Sequence, residues 1–137
     1  MDAAALVAAF RATIYRVEMP EGRFDLRIGV VDPAFDACLR RLGIGRWGIV
    51  TACNPGAMQL SNGLNDERRM QLQVCLQRLG WTFLEACNLD AAMAWPAEPG
   101  CFVPGIAPAS LRAVALEFSQ LAVVCGETGS APCLLWV

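Results

Sequence analysis

Four polar residues between positions 54 and 69 have the types and spacing to bind an anionic small molecule: Asn54, Asn65, Arg68 and Arg69. Asn54 follows an apolar segment, and the other three occupy the first turns of a predicted helix. Side-chain amides supply oriented hydrogen bonds, and guanidinium groups near a helix N-terminus attract anions. The alternative is a helix cap with a buried polar network that supports the fold without a ligand.

The helix pattern explains why these residues are expected to face inward. Leu72, Leu76 and Leu79 define an apolar stripe on a helix that Ser61 or Asn62 can cap and that Gly80 ends. Extending the stripe toward the N-terminus reaches Arg69 and then Asn65. Inward polar groups cost free energy unless they are hydrogen-bonded, so this face is predicted to meet a loop or a ligand.

Glu98 and Gln120 are further candidates, each next to an apolar strand. Glu98 lies between Pro96 and Pro99 in a predicted rigid loop, where a partly apolar pocket would raise its pKa and suit it to act as general acid or base. Alternatively, its carboxylate binds Arg69 or backbone amides. Gln120 would orient a ligand or satisfy backbone groups between a helix and a strand.

Absent residue types exclude several kinds of catalysis. The chain has no histidine, and all eleven basic residues are arginine, so triads that need histidine, lysine Schiff bases and lysine-containing phosphate loops are excluded. Its seven cysteines form no Cys-x-x-Cys pair and mostly lie in apolar runs, which favours reduced core cysteines. No metal site and no cofactor are therefore predicted. Acid–base chemistry would have to use Asp, Glu, Cys or Tyr15.

Length, charge and hydropathy define the class of protein. The 137 residues, 55% of them hydrophobic, predict one domain over residues 1–137. A net charge of −2 argues against nucleic-acid binding, and no apolar run is long enough for a membrane span. Without a signal-peptide pattern, a cytoplasmic location is expected. The mean hydropathy of +0.41 makes a homodimer an alternative to a monomer.

Periodicity and turn residues predict an α+β fold with the order αββαβαββαββ, in which helices pack on a mixed β-sheet. The clearest signals are the alternation over 24–30 and the Asp32-Pro33 helix start. The predicted helices cover 3–10, 33–42, 62–79 and a segment starting at 108, and the predicted strands cover 11–17, 24–30, 47–53, 81–87, 101–106, 121–125 and 132–137.

Ordered motifs through most of the chain resemble the domain-of-unknown-function 3293 family. They are WGIVTACNP ending at Pro55, Ser61 with Asn65 and Arg69, WPAEPG ending at Gly100, FSQLA starting at Phe118, and Leu135-Trp136. The resemblance implies a small bacterial cytoplasmic protein, and it supplies no activity.

Three functions are consistent with these residues. The first is binding of an anionic or nucleotide-like small molecule by the Asn/Arg/Glu/Gln cluster. The second is a non-catalytic protein-interaction module or homodimer in which that cluster is structural. The third is a hydrolase that uses Glu98 as acid or base, although no second catalytic group is apparent.

Overall fold

The computed structural model describes residues 2–137, which form four α-helices, one 3-10 turn and seven strands. No helix within these residues is long and apolar enough to cross a membrane. In chain order the elements are α1 (Ala3–Ala12), β1 (Thr13–Met19), β2 (Gly22–Leu26), α2 (Pro33–Arg41), β3 (Arg46–Thr51), the 3-10 turn (Pro55–Ala57), α3 (Asn62–Arg78), β4 (Leu84–Asp90), β5 (Glu98–Pro104), α4 (Pro108–Glu117), β6 (Ala122–Glu127) and β7 (Cys133–Trp136).

The seven strands form one sheet in the order β2-β1-β4-β5-β3-β6-β7. The α+β class and the predicted order of helices and strands are confirmed. All six strand pairings are antiparallel, whereas the sequence predicts a mixed sheet. The difference arises because α3 and α4 each connect two strands that run in the same direction, and an antiparallel strand lies between the two in the sheet.

Apolar side chains pack on both faces of the sheet, which gives three layers. On one face, α2 contributes Phe35 and Leu39 to a core that includes Trp47 and Phe102, with Phe10 of α1 packed at its border. On the other face, α3 and α4 pack against the sheet through a second cluster. The helical members of this second cluster are Leu72, Leu76, Leu111, Val114 and Ala115.

Side-chain caps begin α2 and α3, the two helices whose N-cap residues the sequence predicts. The Asp32 carboxylate accepts a hydrogen bond from the Phe35 amide, and Pro33 occupies the first turn of α2. The Ser61 hydroxyl accepts one from the Leu64 amide at the start of α3. Leu79 differs from its prediction, because α3 ends at Arg78 and the Leu79 side chain is exposed.

Strand boundaries near the predicted site differ from the sequence expectation. β4 continues to Asp90, so Asn88 lies within the strand, opposite both Tyr15 of β1 and Glu98 of β5. β5 begins at Glu98, three residues earlier than predicted, because the loop that contains Pro96 ends there and ladder pairing with β4 starts. Glu98 therefore lies in the sheet and not in the predicted rigid loop.

Antiparallel pairing brings the start of some strands and the end of others to one end of the sheet. β3 and β4 end there, whereas β1, β5 and β6 begin there. The polar residues at these termini consequently come close together, although they are far apart in the sequence.

Candidate functional site

Asn54 is the centre of a polar network that joins three segments of the chain. Its Nδ2 donates to Glu98 Oε1 at 2.6 Å, and its Oδ1 accepts from the Leu60 amide and from Asn65 Nδ2, both at 2.9 Å. Its backbone amide donates to Asn65 Oδ1 at 3.0 Å. The structure thus brings three sequence-predicted site residues, Asn54, Asn65 and Glu98, into one cluster.

The backbone at Asn54 adopts an uncommon conformation. Its φ of 50° and ψ of 62° lie in the left-handed region, which asparagine tolerates better than most residues. A residue that precedes proline usually prefers an extended conformation, and Pro55 follows directly. The hydrogen bonds of Asn54 offset this strain and direct the chain from β3 into the 3-10 turn.

A cavity of about 110 Å³ lies beside this network and is called the Glu98 cavity. Polar groups at the ends of the central strands and apolar side chains from α1 and the sheet both contribute to its wall. It is lined by Phe10, Tyr15, Ile49, Thr51, Cys53, Asn54, Ala57, Asn88, Glu98, Gln120 and residues 121–124.

Glu98 is the carboxylate of this cavity. Burial raises the pKa of its carboxyl group above the ordinary value of 4.5, and the hydrogen bond from Asn54 partly opposes that increase. The carboxyl group is thus easier to protonate than one in water. A group of this kind accepts hydrogen bonds when ionised and donates one when protonated.

Asn88 and Tyr15 line the same cavity. The sequence analysis names Tyr15 only as a possible acid–base group and does not predict Asn88. Asn88 lies directly opposite Tyr15 across β1 and opposite Glu98 across β5. Within residues 2–137, the buried Asn88 Oδ1 has no hydrogen-bond partner. The Tyr15 hydroxyl donates to the Phe10 carbonyl, and burial raises the pKa of Tyr15.

Arg68 and Gln120 bind backbone carbonyls next to the cavity. Arg68 donates through Nε to the Ala52 carbonyl and through Nη2 to the Phe118 carbonyl, both at 2.6 Å. Gln120 Nε2 donates to the Cys53 carbonyl at 3.0 Å and to the Phe118 carbonyl at 3.3 Å. Arg68 is therefore engaged with the main chain, whereas Gln120 also lines the Glu98 cavity.

Arg69 pairs with Glu85 and not with Glu98. Its Nη2 donates to Glu85 of β4 at 2.7 Å, and its buried Nε has no hydrogen-bond partner within residues 2–137. It lines a second cavity, called the Arg69 cavity, together with Asn65 and Asp66. Cys53 and Asn54 belong to the walls of both cavities, so the two lie side by side.

Cys53 lies between the two cavities as a buried thiol. Its Sγ lies 3.6 Å from the Pro99 carbonyl oxygen, and burial raises its pKa, which disfavours the nucleophilic thiolate. Among residues 2–137, no three His, Cys, Asp or Glu side chains are placed so that they could hold a metal ion together.

The family described as Protein of unknown function (DUF3293) matches residues 50–123, which is more than half of the chain. The chain belongs to this family. The matched segment contains every candidate binding residue from Asn54 to Gln120, whereas Tyr15 lies outside it. Comparisons with curated proteins and with solved structures found no match.

Proposed function

We propose that this family member binds a small molecule in the Glu98 cavity, through hydrogen-bond donors that the molecule presents to Glu98 and Asn88. The observation that carries the proposal is the position of a partly buried carboxyl group next to a buried amide oxygen that has no partner within residues 2–137. Because a buried acceptor without a partner costs about 1–3 kcal/mol, a ligand that supplies the donor gains affinity there.

The cavity volume restricts the ligand. Pockets for drug-sized ligands occupy ~300–1,000 Å³, so the 110 Å³ of the Glu98 cavity suits a very small molecule or one group of a larger one. An amide, amidine, guanidine or amine provides donors for both acceptors. The amino group of a nucleobase has the same chemistry, which is compatible with the nucleotide-like ligand expected from the sequence.

Binding is favoured over hydrolysis at this site. The carboxyl group of Glu98 has the raised pKa of a general acid, but the raised pKa of Tyr15 makes that hydroxyl a poor partner base. Arg68 binds backbone carbonyls and Arg69 pairs with Glu85, so neither reaches Glu98 as a catalytic partner. Burial raises the pKa of the Cys53 thiol, which disfavours its thiolate. A hydrolase with Glu98 as acid or base stays a prediction of the sequence.

Native mass spectrometry of the gently purified chain tests the proposal. We expect the wild-type protein and Glu67→Gln, which changes an exposed glutamate on α3, to carry a small molecule above the apo mass of 14.8 kDa. Glu98→Gln is expected to lose that molecule, because the carboxylate acceptor is gone. A bare wild-type chain, or the same adduct on Glu98→Gln, contradicts the proposal.

The Arg69 cavity supports a second candidate, binding of an anionic group. The Nε of Arg69, which has no partner among the residues described, is a charged donor. Asn62 and Asn65 of the first turns of α3 line the same cavity. Glu85 and Asp66 oppose an anion there, which makes this candidate weaker than the Glu98 cavity.

A titration with inorganic pyrophosphate, followed by backbone amide NMR signals, tests the anion candidate. We expect signals of residues 62–66 to shift in the wild-type protein and in Arg78→Lys, and to shift much less in Arg69→Lys. Equal shifts in both variants would show that pyrophosphate binds without the guanidinium group of Arg69, which contradicts the anion candidate.

A further inference from the structure

The hairpin of β6 and β7 places two cysteines directly opposite each other at the edge of the sheet. Cys125 of β6 pairs in register with Cys133 of β7, and their Sγ atoms lie 3.5 Å apart. Both are free thiols. The pair lies on the C-terminal side of the family match, which ends at residue 123, and takes no part in the Glu98 or Arg69 cavity.

The backbone geometry of this pair is compatible with a disulfide bond. Opposite residues of an antiparallel pair have Cα atoms about 4.5–5.5 Å apart, which is inside the range of about 4.4–6.8 Å that disulfides span. The two sulfurs must approach each other by about 1.5 Å to reach a bond length near 2.05 Å. Rotation of the two side chains can provide that movement, since Cys133 is exposed and not held by core packing.

We propose that Cys125 and Cys133 form a reversible redox site, which hydrogen peroxide converts into a cross-strand disulfide. β7 is the last strand of the sheet order, so an oxidant reaches the exposed Cys133 from solvent. Cys125 is only partly exposed, which suits it to the second, resolving step.

The chemistry balances as a two-electron oxidation. The Cys133 thiolate attacks one peroxide oxygen, so that an S–O bond forms, the O–O bond breaks and one water leaves after protonation. The Cys125 sulfur then displaces the hydroxyl group of the Cys133 sulfenic acid, which forms the S–S bond and releases the second water. Two thiols are oxidised and one peroxide is reduced, and a small-molecule dithiol reverses the change by exchange.

The environment of Cys125 assigns the order of the two steps. Burial, together with the hydrogen bond to Cys133, raises the pKa of the Cys125 thiol to about 12. Attack on peroxide needs access from solvent, so the exposed Cys133 reacts first and the partly exposed Cys125 second. Cys75 provides a control cysteine outside the pair. It is partly exposed, as Cys125 is, and its Sγ contacts Glu117 and, among the described residues, no second cysteine.

Peptide mapping after mild peroxide treatment tests the site. The segment after Arg112 contains no further arginine or lysine, so one tryptic peptide carries both cysteines. After N-ethylmaleimide blocks free thiols, we expect this peptide to be unlabelled and about 2 Da lighter than its reduced form, in the wild-type protein and in Cys75→Ser.

Two variants show whether the pair itself reacts. Cys125→Ser is expected to stop at an oxidised Cys133 without a disulfide, and Cys133→Ser is expected to keep Cys125 reduced and open to labelling in the denatured protein. The proposal is overturned if both cysteines of the wild-type peptide are labelled after treatment. It is equally overturned if Cys133 is recovered in a disulfide with a cysteine other than Cys125.

Discussion

Asn54 combines a strained backbone with three side-chain hydrogen bonds that join the end of β3 to Glu98, Leu60 and Asn65. We expect Asn54→Ala to lower the free energy of unfolding by about 2–4 kcal/mol, because it removes these bonds and leaves the positive φ. Urea unfolding measures this loss.

A glycine at the same position separates the strain from the hydrogen bonds. Asn54→Gly removes the same side-chain contacts, but glycine adopts a positive φ without steric cost. We expect it to be about 1 kcal/mol more stable than Asn54→Ala. Equal stabilities of the two variants would show that the left-handed backbone stores no strain.

Burial of Glu98 makes stability depend on pH in a predictable direction. Its pKa is higher in the folded chain than the ordinary value of 4.5, so the folded state holds the proton over a range in which the unfolded state releases it. This contribution to stability is fully present below the unfolded pKa. It is lost as the pH rises through the folded pKa.

Glu98→Gln is therefore expected to gain stability relative to the wild-type protein as the pH rises. Urea midpoints at about pH 5 and about pH 8 measure the difference between the two proteins. Glu67→Gln provides the control for an exposed carboxylate. A difference between Glu98→Gln and wild type that is the same at both pH values would contradict a raised pKa for Glu98.

The residues of the site could be predicted in part. Asn54, Asn65 and Glu98 are in contact because each lies at an element boundary that the sequence marks with proline or a helix cap. Arg69 pairs with Glu85 of β4. This pairing depends on the order of the strands in the sheet, which the local spacing of residues does not predict. Asn88 was missed because the predicted strand ended one residue before it.

At the scale of elements, Arg68 holds α3 against the ends of β3 and α4. Its guanidinium group donates to the carbonyls of Ala52 and Phe118. Arg68→Lys keeps the charge but loses the planar fork that reaches two carbonyls at once. We expect it to lower the free energy of unfolding by about 1–3 kcal/mol.

Arg78→Lys is the matched control for this prediction. It makes the same chemical change at an exposed position in the last turn of the same helix. Chemical denaturation of both variants is expected to leave Arg78→Lys within about 0.5 kcal/mol of the wild-type protein. A similar loss in both variants would assign the effect to the helix rather than to the two carbonyls.

The elements themselves could be predicted better than their arrangement. Helix caps and apolar stripes are local sequence features. They predict α2 and α3, and the predicted first residues of both helices agree with the structure. The direction of strand pairing depends on distant parts of the chain. A crossover helix indicates that the two strands it connects run in the same direction. Only the fold shows that β5 lies between the strands joined by α3, and that β3 lies between those joined by α4. The fully antiparallel sheet could not be derived for that reason.

At the scale of the whole molecule, the interaction module or homodimer is the main alternative to ligand binding. The structure exposes several large apolar side chains outside the cavities, among them Met70 on α3, Leu116 on α4 and the tryptophan of the loop before β5, Trp95. Light scattering coupled to size-exclusion chromatography measures the state of the chain. The interaction alternative predicts a stable complex that is unchanged in Glu98→Gln. Ligand binding is fully accounted for by a monomer, whose mass is 14.8 kDa plus that of the ligand.

NMR with defined small probes tests ligand binding in the Glu98 cavity most directly. Acetamide and methylguanidinium present hydrogen-bond donors to Glu98 and to Asn88 Oδ1, which has no partner within residues 2–137, and each is small enough for a cavity of about 110 Å³. In the ¹⁵N-labelled wild-type protein and in Glu67→Gln, we expect at least one probe to shift the Asn88 side-chain amide and the backbone amides of residues 88, 98 and 121–124. The same signals are expected to shift much less in Glu98→Gln. Signals of the cavity that stay unchanged with both probes, or that shift equally in Glu98→Gln, would contradict the assignment of this cavity as a binding site.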